Sequence, residues 1–146
     1  APAETRLAVG RSLTHFQSAD VARSLVNAMR SARATVRQAA AFLMGELGYS
    51  EGLGPALNDA HPHVRKAAAL AIGTSKTMGL SAQLTAALND EEWSVRVAAA
   101  EGLKRLAMPS AIQALESRLD DDHPVVRNAA RSAINSLSTT TRDPIG

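Results

Sequence analysis

The stretch that decides the fold is "LNDAHPHVRKAAALAIG", residues 57–73. Nearly the same phrase returns as "LNDEEWSVRVAAAEGLK" at 88–104 and as "LDDDHPVVRNAARSAIN" at 119–135. A leucine, an aspartate, a Val-Arg pair and alanines recur each time, whereas the histidines do not. The segment therefore belongs to a structural repeat and is not a histidine-based site that occurs once.

The Val-Arg pair sets the period of this repeat. It occurs at residues 36–37, 64–65, 95–96 and 126–127, in steps of 28, 31 and 31 residues. Each valine is followed by apolar residues at helical spacing, and a shorter apolar stretch such as "SAQLTAAL" at 81–88 precedes it. The pattern therefore predicts a pair of helices in each repeat. Nine helices are predicted, near 4–15, 18–30, 34–47, 50–58, 62–73, 80–89, 93–106, 109–119 and 124–138.

The phrase from Leu57 to Gly73 resembles the HEAT-like repeat of phycocyanobilin lyases, with its pattern D-x-x-P-x-V-R-x-A-A-x-A-L-G. The resemblance implies an all-α fold, a right-handed α-solenoid, or superhelix, of about four and a half HEAT-like helix pairs. We expect a single HEAT-like repeat domain over residues 1–138, followed by a tail or linker over 139–146. The domain divides into a half repeat at 4–15 and repeats near 18–47, 50–73, 80–106 and 109–138.

Composition narrows the classes of function. Sixteen Lys and Arg against fourteen Asp and Glu give a net charge of +2, which is no basic excess of the kind that binds nucleic acid. No apolar run approaches the roughly 20 residues that cross a bilayer, so we expect a soluble chain without membrane insertion. The first residues, "APAETR", suit a processed N-terminus. An organelle such as a plastid and the bacterial cytoplasm both stay open as locations.

One acidic and one basic position recur in register. By resemblance, the arginine of the Val-Arg pair contacts the aspartate between the helices of its own or a neighbouring repeat, which forms a ladder along the stack. Ser31 stands where the first repeat would have its aspartate, so we expect Arg37 to be the unpaired arginine. The structural ladder is predicted to comprise Asp59, Asp90, Asp121, Arg65, Arg96 and Arg127.

The sequence contains no recognisable catalytic arrangement. His61 and His123 occupy the same repeat position about two repeats apart, roughly 20 Å at about 10 Å per helix layer, so they cannot share one metal ion. The chain has no His-Glu pair of the kind found in di-iron hydroxylases built on HEAT repeats, no nucleophile motif and no phosphate loop. We therefore predict no catalytic residue, no cofactor and no metal.

The remaining candidate is a surface for a protein partner. By resemblance, the second helix of each pair lines a concave face, and apolar residues stand there among charged ones. We predict a non-catalytic scaffold module in a multi-subunit assembly, or alternatively a phycobilin lyase-type subunit that assists pigment attachment or removal on a phycobiliprotein. Trp93 is either a binding hot spot or a staple over Val97. The predicted partner-binding residues are Phe42, His63, Lys66, Leu70, Trp93, Val97, Glu101 and Arg105.

Overall fold

The protein is all-helical throughout residues 18–141, the part of the chain that the computed structural model describes. Between short helices lie four longer ones, and no β-strand occurs within this range. The predicted all-α solenoid is confirmed. In chain order the helices are α1 (18–28), α2 (Ala34–Leu47), α3 (Leu53–Ala56), α4 (Pro62–Thr74), α5 (Ser81–Ala86), α6 (Trp93–Leu106), α7 (Ile112–Glu116) and α8 (Pro124–Thr140).

The starts of three long helices, α4, α6 and α8, are set by the repeated aspartate. The carboxylate of Asp59 accepts a hydrogen bond at 2.9 Å from the backbone N–H of His61, and Asp121 does the same for His123. The residue before α4 and the residue before α8 are extended, with φ −97° at His61 and −95° at His123, and proline follows each at the first helical position. Proline suits that position because its missing N–H would have no partner inside the helix.

The long helices pack side by side in chain order, α2 on α4, α4 on α6 and α6 on α8. Small residues make the close contacts. A Cβ added at Gly45 would meet the Cα of Ala71 at 2.8 Å, and one added at Gly73 would meet the Cα of Gly102 at 2.7 Å. Alanines such as Ala68 and Ala99 are fully buried at the same interfaces. The alanine-rich composition therefore fills narrow spaces between adjacent helices.

The short helices differ from the prediction in length. The stretches predicted at 50–58, 80–89 and 109–119 contain α-helix only over Leu53–Ala56, Ser81–Ala86 and Ile112–Glu116. The 3₁₀ segments Met78–Leu80, Ala87–Asn89 and Pro109–Ala111 adjoin the last two. Gly52, at φ +91°, precedes the first. Their leucines nevertheless pack inward, because Leu53, Leu84 and Leu115 are fully buried.

The predicted ends of the repeat domain lie near or beyond the ends of the described residues. The half repeat predicted at 4–15 lies outside the described residues. At the other end, α8 continues to Thr140, two residues into the segment predicted as a tail, and residues 142–146 lie outside the described range. The repeat boundaries stay a prediction.

A candidate protein-binding groove

Arginines and aspartates connect successive repeats through a chain of bidentate pairs, here called the Arg–Asp ladder. Arg65 donates from Nε and Nη2 to the two carboxylate oxygens of Asp90, at 2.9 and 3.0 Å. Its Nη1 donates to the backbone carbonyl of Asp59, at 2.8 Å. Each arginine in this arrangement joins the backbone of its own repeat to the carboxylate of the next. Arg96 and Asp121 repeat the geometry.

The expectation that Arg37 would be unpaired was wrong. Arg37 donates to Asp59 from Nε at 2.8 Å and from Nη2 at 3.0 Å, and Nη1 donates to the backbone carbonyl of Ser31. Because the arginine pairs with the aspartate of the following repeat, a serine in its own repeat removes no partner. Within residues 18–141 it is Arg127 that bonds only to backbone carbonyls, those of Asp121 and Asp122.

The ladder shifts the pKa values of four side chains, Arg37, Asp59, Arg65 and Asp121, in the directions that keep them charged. Burial by itself would raise the pKa of Asp121, but hydrogen bonds from Arg96 and from the His123 backbone bring it to about 2. The hydrogen bond from Arg37 lowers the pKa of Asp59. Hydrogen bonds to aspartates likewise raise the pKa values of Arg37 and Arg65. Because these groups already have partners, the ladder stabilises the stack and offers little to a ligand.

On the exposed side of the long helices, the structure forms a groove with two adjoining parts, here called the long-helix groove. The first part has a volume of about 550 Å³ between α2 and α4. Phe42 is its largest apolar residue and is 59% exposed. Three alanines also line it. Five of the predicted partner-binding residues line it, namely Phe42, His63, Lys66, Leu70 and Arg105.

The second part of the groove lies between α6 and α8 and has a volume of about 470 Å³. It is lined by three of the predicted partner-binding residues, Val97, Glu101 and Arg105. Sequence reasoning missed Lys104 and Val125, which also line it. Lys104 stands at the repeat position of Gly45 and Gly73, so the break in that glycine series was the available signal. The Nζ of Lys104 donates to Ser132 on α8 at 3.0 Å.

Arg105 lies where the two parts of the groove meet, since it lines both. Its Nη1 donates to the hydroxyl of Thr74 on α4 at 2.8 Å, so the side chain spans the α4–α6 interface. Within residues 18–141, the charged groups that line the groove form no ion pair within 4 Å, in contrast to the arginines of the ladder. These groups are Glu46, Lys66, Glu101, Lys104 and Arg105.

Trp93 adopts an arrangement that neither hypothesis from the sequence described. Its indole stacks on the imidazole of His123, with ring centroids 3.9 Å apart and planes at 3°. His123 begins α8, and its Nδ1 accepts a hydrogen bond from the backbone N–H of Val125. Trp93 lines neither part of the groove and is 40% exposed. It therefore covers the contact between two repeats, and its role as a binding hot spot or as a staple over Val97 stays a prediction.

Two further histidines, His61 and His63, lie close together at the start of α4. The rings of His61 and His63 stack, with centroids 5.3 Å apart and planes at 29°. Over the described part of the chain, no three His, Cys, Asp or Glu side chains are grouped so that they could hold a metal ion. Over the same residues, no helix combines the length and the apolar character needed to cross a bilayer.

Comparison with known proteins shows which family has this architecture. The family model described as HEAT repeats matches residues 50–135, which is more than half of the chain. The chain is also similar to solved structures. Human deoxyhypusine hydroxylase in complex with glycerol is 26% identical, with a TM-score of 0.70 over 81% of this chain and 43% of that one. A comparison with curated proteins found no match.

Two further structures share the fold. The complex of CpcE and CpcF of phycocyanin lyase from Nostoc sp. PCC7120 is 22% identical, with a TM-score of 0.73 over 82% of this chain and 54% of that one. An engineered protein is 21% identical, with a TM-score of 0.67 over 82% and 62%. The chain thus spans between 43% and 62% of the length of these three solved structures.

Proposed function

The chain belongs to the HEAT-repeat family, and from this premise we propose that it is a non-catalytic interaction module that holds a protein partner in the long-helix groove. In this proposal the groove is the concave face of the solenoid, and the chain is one part of a larger assembly. Its role is to present a fixed surface, because repeats that stack on their neighbours build extended faces for binding.

The observation that carries the proposal is the exposure of Phe42 in the first part of the groove. Covering a phenylalanine that is 59% exposed favours binding, because it removes apolar surface from water. Full burial of such a side chain contributes about 1.5–3 kcal/mol. Aromatic residues in the middle of a patch with a polar rim are typical of binding hot spots.

The charges around Phe42 favour a protein over a nucleic acid. Cations and anions alternate on the groove, with Glu46 and Glu101 among Lys66, Lys104 and Arg105. A phosphate backbone would be repelled by the two glutamates and would find no continuous basic track. A protein segment with charges of both signs meets no such obstacle, and it can satisfy groups that have no ion-pair partner within residues 18–141.

Site-specific photo-cross-linking tests the proposal. A photoreactive phenylalanine analogue replaces Phe42 in one variant and Met78 in a control, because Met78 is 50% exposed but lies outside the groove. After irradiation in the source cells, we expect discrete cross-linked protein bands from the Phe42 variant that the Met78 variant lacks. Identical band patterns from both positions would contradict binding in the groove.

A second candidate function is assistance in pigment attachment to a phycobiliprotein. The observation in its favour is the similarity in fold to the CpcE–CpcF complex, with a TM-score of 0.73. Mixing the protein with a bilin and an apo-phycobiliprotein separates the two candidates. A new absorbance band would support the lyase-type role, and retained binding without a band would support the interaction module.

A further inference from the structure

We propose that Arg105 is the specificity-determining residue of the long-helix groove and that it receives an aspartate or glutamate side chain of the bound segment. An apolar residue of the same segment packs on Phe42 and Leu70. This inference rests on the proposed function and adds the chemistry of the partner: an acidic segment with an apolar anchor.

The first support is the position of Arg105. It is the residue shared by the two parts of the groove, so a segment that lies along both must pass over it. It stands on α6, one helix spacing, or about 10 Å, from Leu70 on α4. The apolar anchor and the acidic side chain of the bound segment are therefore expected to be about the same distance apart.

The second support is the way the guanidinium is held. One nitrogen donates to Thr74 at 2.8 Å, and the structure gives its other N–H groups no acceptor within residues 18–141. An arginine side chain held in this way loses less conformational freedom when it binds. Its planar arrangement of donors matches a carboxylate, which can accept two parallel hydrogen bonds.

The third support is the balance of charge near Arg105. Lys66 lines the first part of the groove and Lys104 the second, so a cation lies on each side of Arg105. Glu46 lines the far side of the first part, and Glu101 lies one helical turn before Arg105 on α6. Three cations against two anions favour an acidic segment, and Arg105 remains open to a carboxylate because it forms no ion pair within residues 18–141.

Peptide selection tests the inference directly. Random 16-residue peptides displayed on phage are selected against the full chain, and the selected peptides are synthesised with a fluorescent label. Their affinities are measured by fluorescence anisotropy for the wild type, Arg105→Gln, Phe42→Ala and a matched control, Arg33→Gln. Arg33 is exposed at the start of α2 and lines neither part of the groove.

We expect the selected peptides to be enriched in Asp and Glu next to large apolar residues. Arg105→Gln should weaken their binding about tenfold, as loss of a charge-assisted bidentate pair at a partly exposed site does, and should reduce its dependence on salt. Arg33→Gln should leave the affinity unchanged. Melting temperatures of all variants check that each retains the fold.

The remaining outcomes separate this inference from the proposed function. Peptides that lose affinity with Phe42→Ala but bind Arg105→Gln like the wild type would overturn the role of Arg105 and leave groove binding intact. Binding that depends on a free peptide C-terminus, and not on Asp or Glu side chains, would overturn the proposed source of the carboxylate. Two outcomes would count against both proposals. One is that neither substitution changes the affinity of the selected peptides, and the other is that the selection yields no peptide whose binding depends on the groove.

Discussion

At the scale of single residues, glycine and tryptophan have opposite effects on the contact between repeats. Gly102 lets α6 approach α4 so closely that an added Cβ would meet the backbone oxygen of Ala69 at 2.7 Å. Trp93 instead covers the start of the next repeat with its indole ring, stacked on His123. One residue permits close packing by having no side chain, and the other adds a large aromatic surface at the edge.

Replacing Gly102 by alanine should destabilise the protein in spite of the higher helix propensity of alanine. The new methyl group would clash with the Ala69 backbone and with Leu84, at 2.9 Å, and the overpacking should cost about 1–3 kcal/mol. Chemical denaturation measures the free energy of unfolding. Gly79→Ala is the control, because a Cβ there meets no atom within 4 Å. Equal stability of the two variants would contradict the close approach.

The stack of Trp93 on His123 should be visible in the fluorescence of the only tryptophan. His123→Ala should shift the emission to the red, because it exposes the indole face that the imidazole covers. It should also lower the free energy of unfolding by about 0.5–1.5 kcal/mol through loss of the aromatic pair, and further through loss of the hydrogen bond from the Val125 backbone N–H at the start of α8. His61→Ala removes the histidine at the same position of an earlier repeat and should leave the emission unchanged. An unshifted spectrum for His123→Ala would argue against the stack.

At the scale of helices, the Arg–Asp ladder sets how each long helix sits against the next. An arginine near the start of one long helix bonds both to the loop of its own repeat and to the aspartate before the following long helix. The side chain of Asp121 is only 1% exposed. The same aspartate accepts from the backbone at the start of α8. One carboxylate thus fixes a helix start and its distance from the neighbouring repeat.

The ladder predicts a loss of stability in acid. The folded-state pKa of Asp121 lies near 2, below its ordinary value of 3.8, and the pKa of Asp59 is lowered too. A lowered pKa stabilises the fold above the unfolded-state pKa, and this contribution disappears as the pH falls. We therefore expect the free energy of unfolding, measured in urea, to fall between about pH 4 and pH 2.

Asp121→Asn tests whether the Asp121 carboxylate is responsible for the loss of stability in acid. The variant should lose about 1–3 kcal/mol at pH 7, because Arg96 keeps weaker hydrogen bonds to a neutral amide, and its stability should depend less on pH between 4 and 2. Asp120→Asn is the control, since Asp120 is exposed and forms no ion pair within the described range. A pH profile of Asp121→Asn identical to that of the wild type would contradict the assignment.

At the scale of the whole molecule, stability comes from contacts between adjacent repeats. Within the described residues, α4 packs against long helices on both sides, α2 and α6, and α6 packs against α4 and α8. The long-helix groove is a product of the same stacking, because its lining comes from four successive long helices. The surface proposed for the partner therefore depends on the whole stack and not on one repeat.

Amide hydrogen exchange should reveal this nearest-neighbour organisation. We expect the slowest exchange in α4 and α6, because local opening there disrupts two interfaces, and faster exchange in α8, whose only long-helix neighbour in the described range is α6. Mass spectrometry of exchanged peptides measures the difference. Equal protection of α4, α6 and α8 would indicate a single cooperative unit.

The sequence by itself determined the repeat, the long helices and the fold class. The positions of Val36, Val64, Val95 and Val126 set the register, and apolar residues at helical spacing after each one predicted α2, α4, α6 and α8 to within two residues. The short helices were less predictable, because their leucines pack inward whether the flanking residues form α or 3₁₀ turns. The local spacing of apolar residues is enough to predict helices whose burial pattern repeats along the chain.

Only the tertiary structure decided which repeat each side chain contacts. The sequence placed Arg37 opposite Ser31, but the offset between adjacent helix pairs brings it to Asp59. The same offset stacks Trp93 on His123 and makes Arg105 the residue common to both parts of the groove. Periodicity specifies which residues are equivalent, whereas the rotation and spacing of packed helices specify which ones meet.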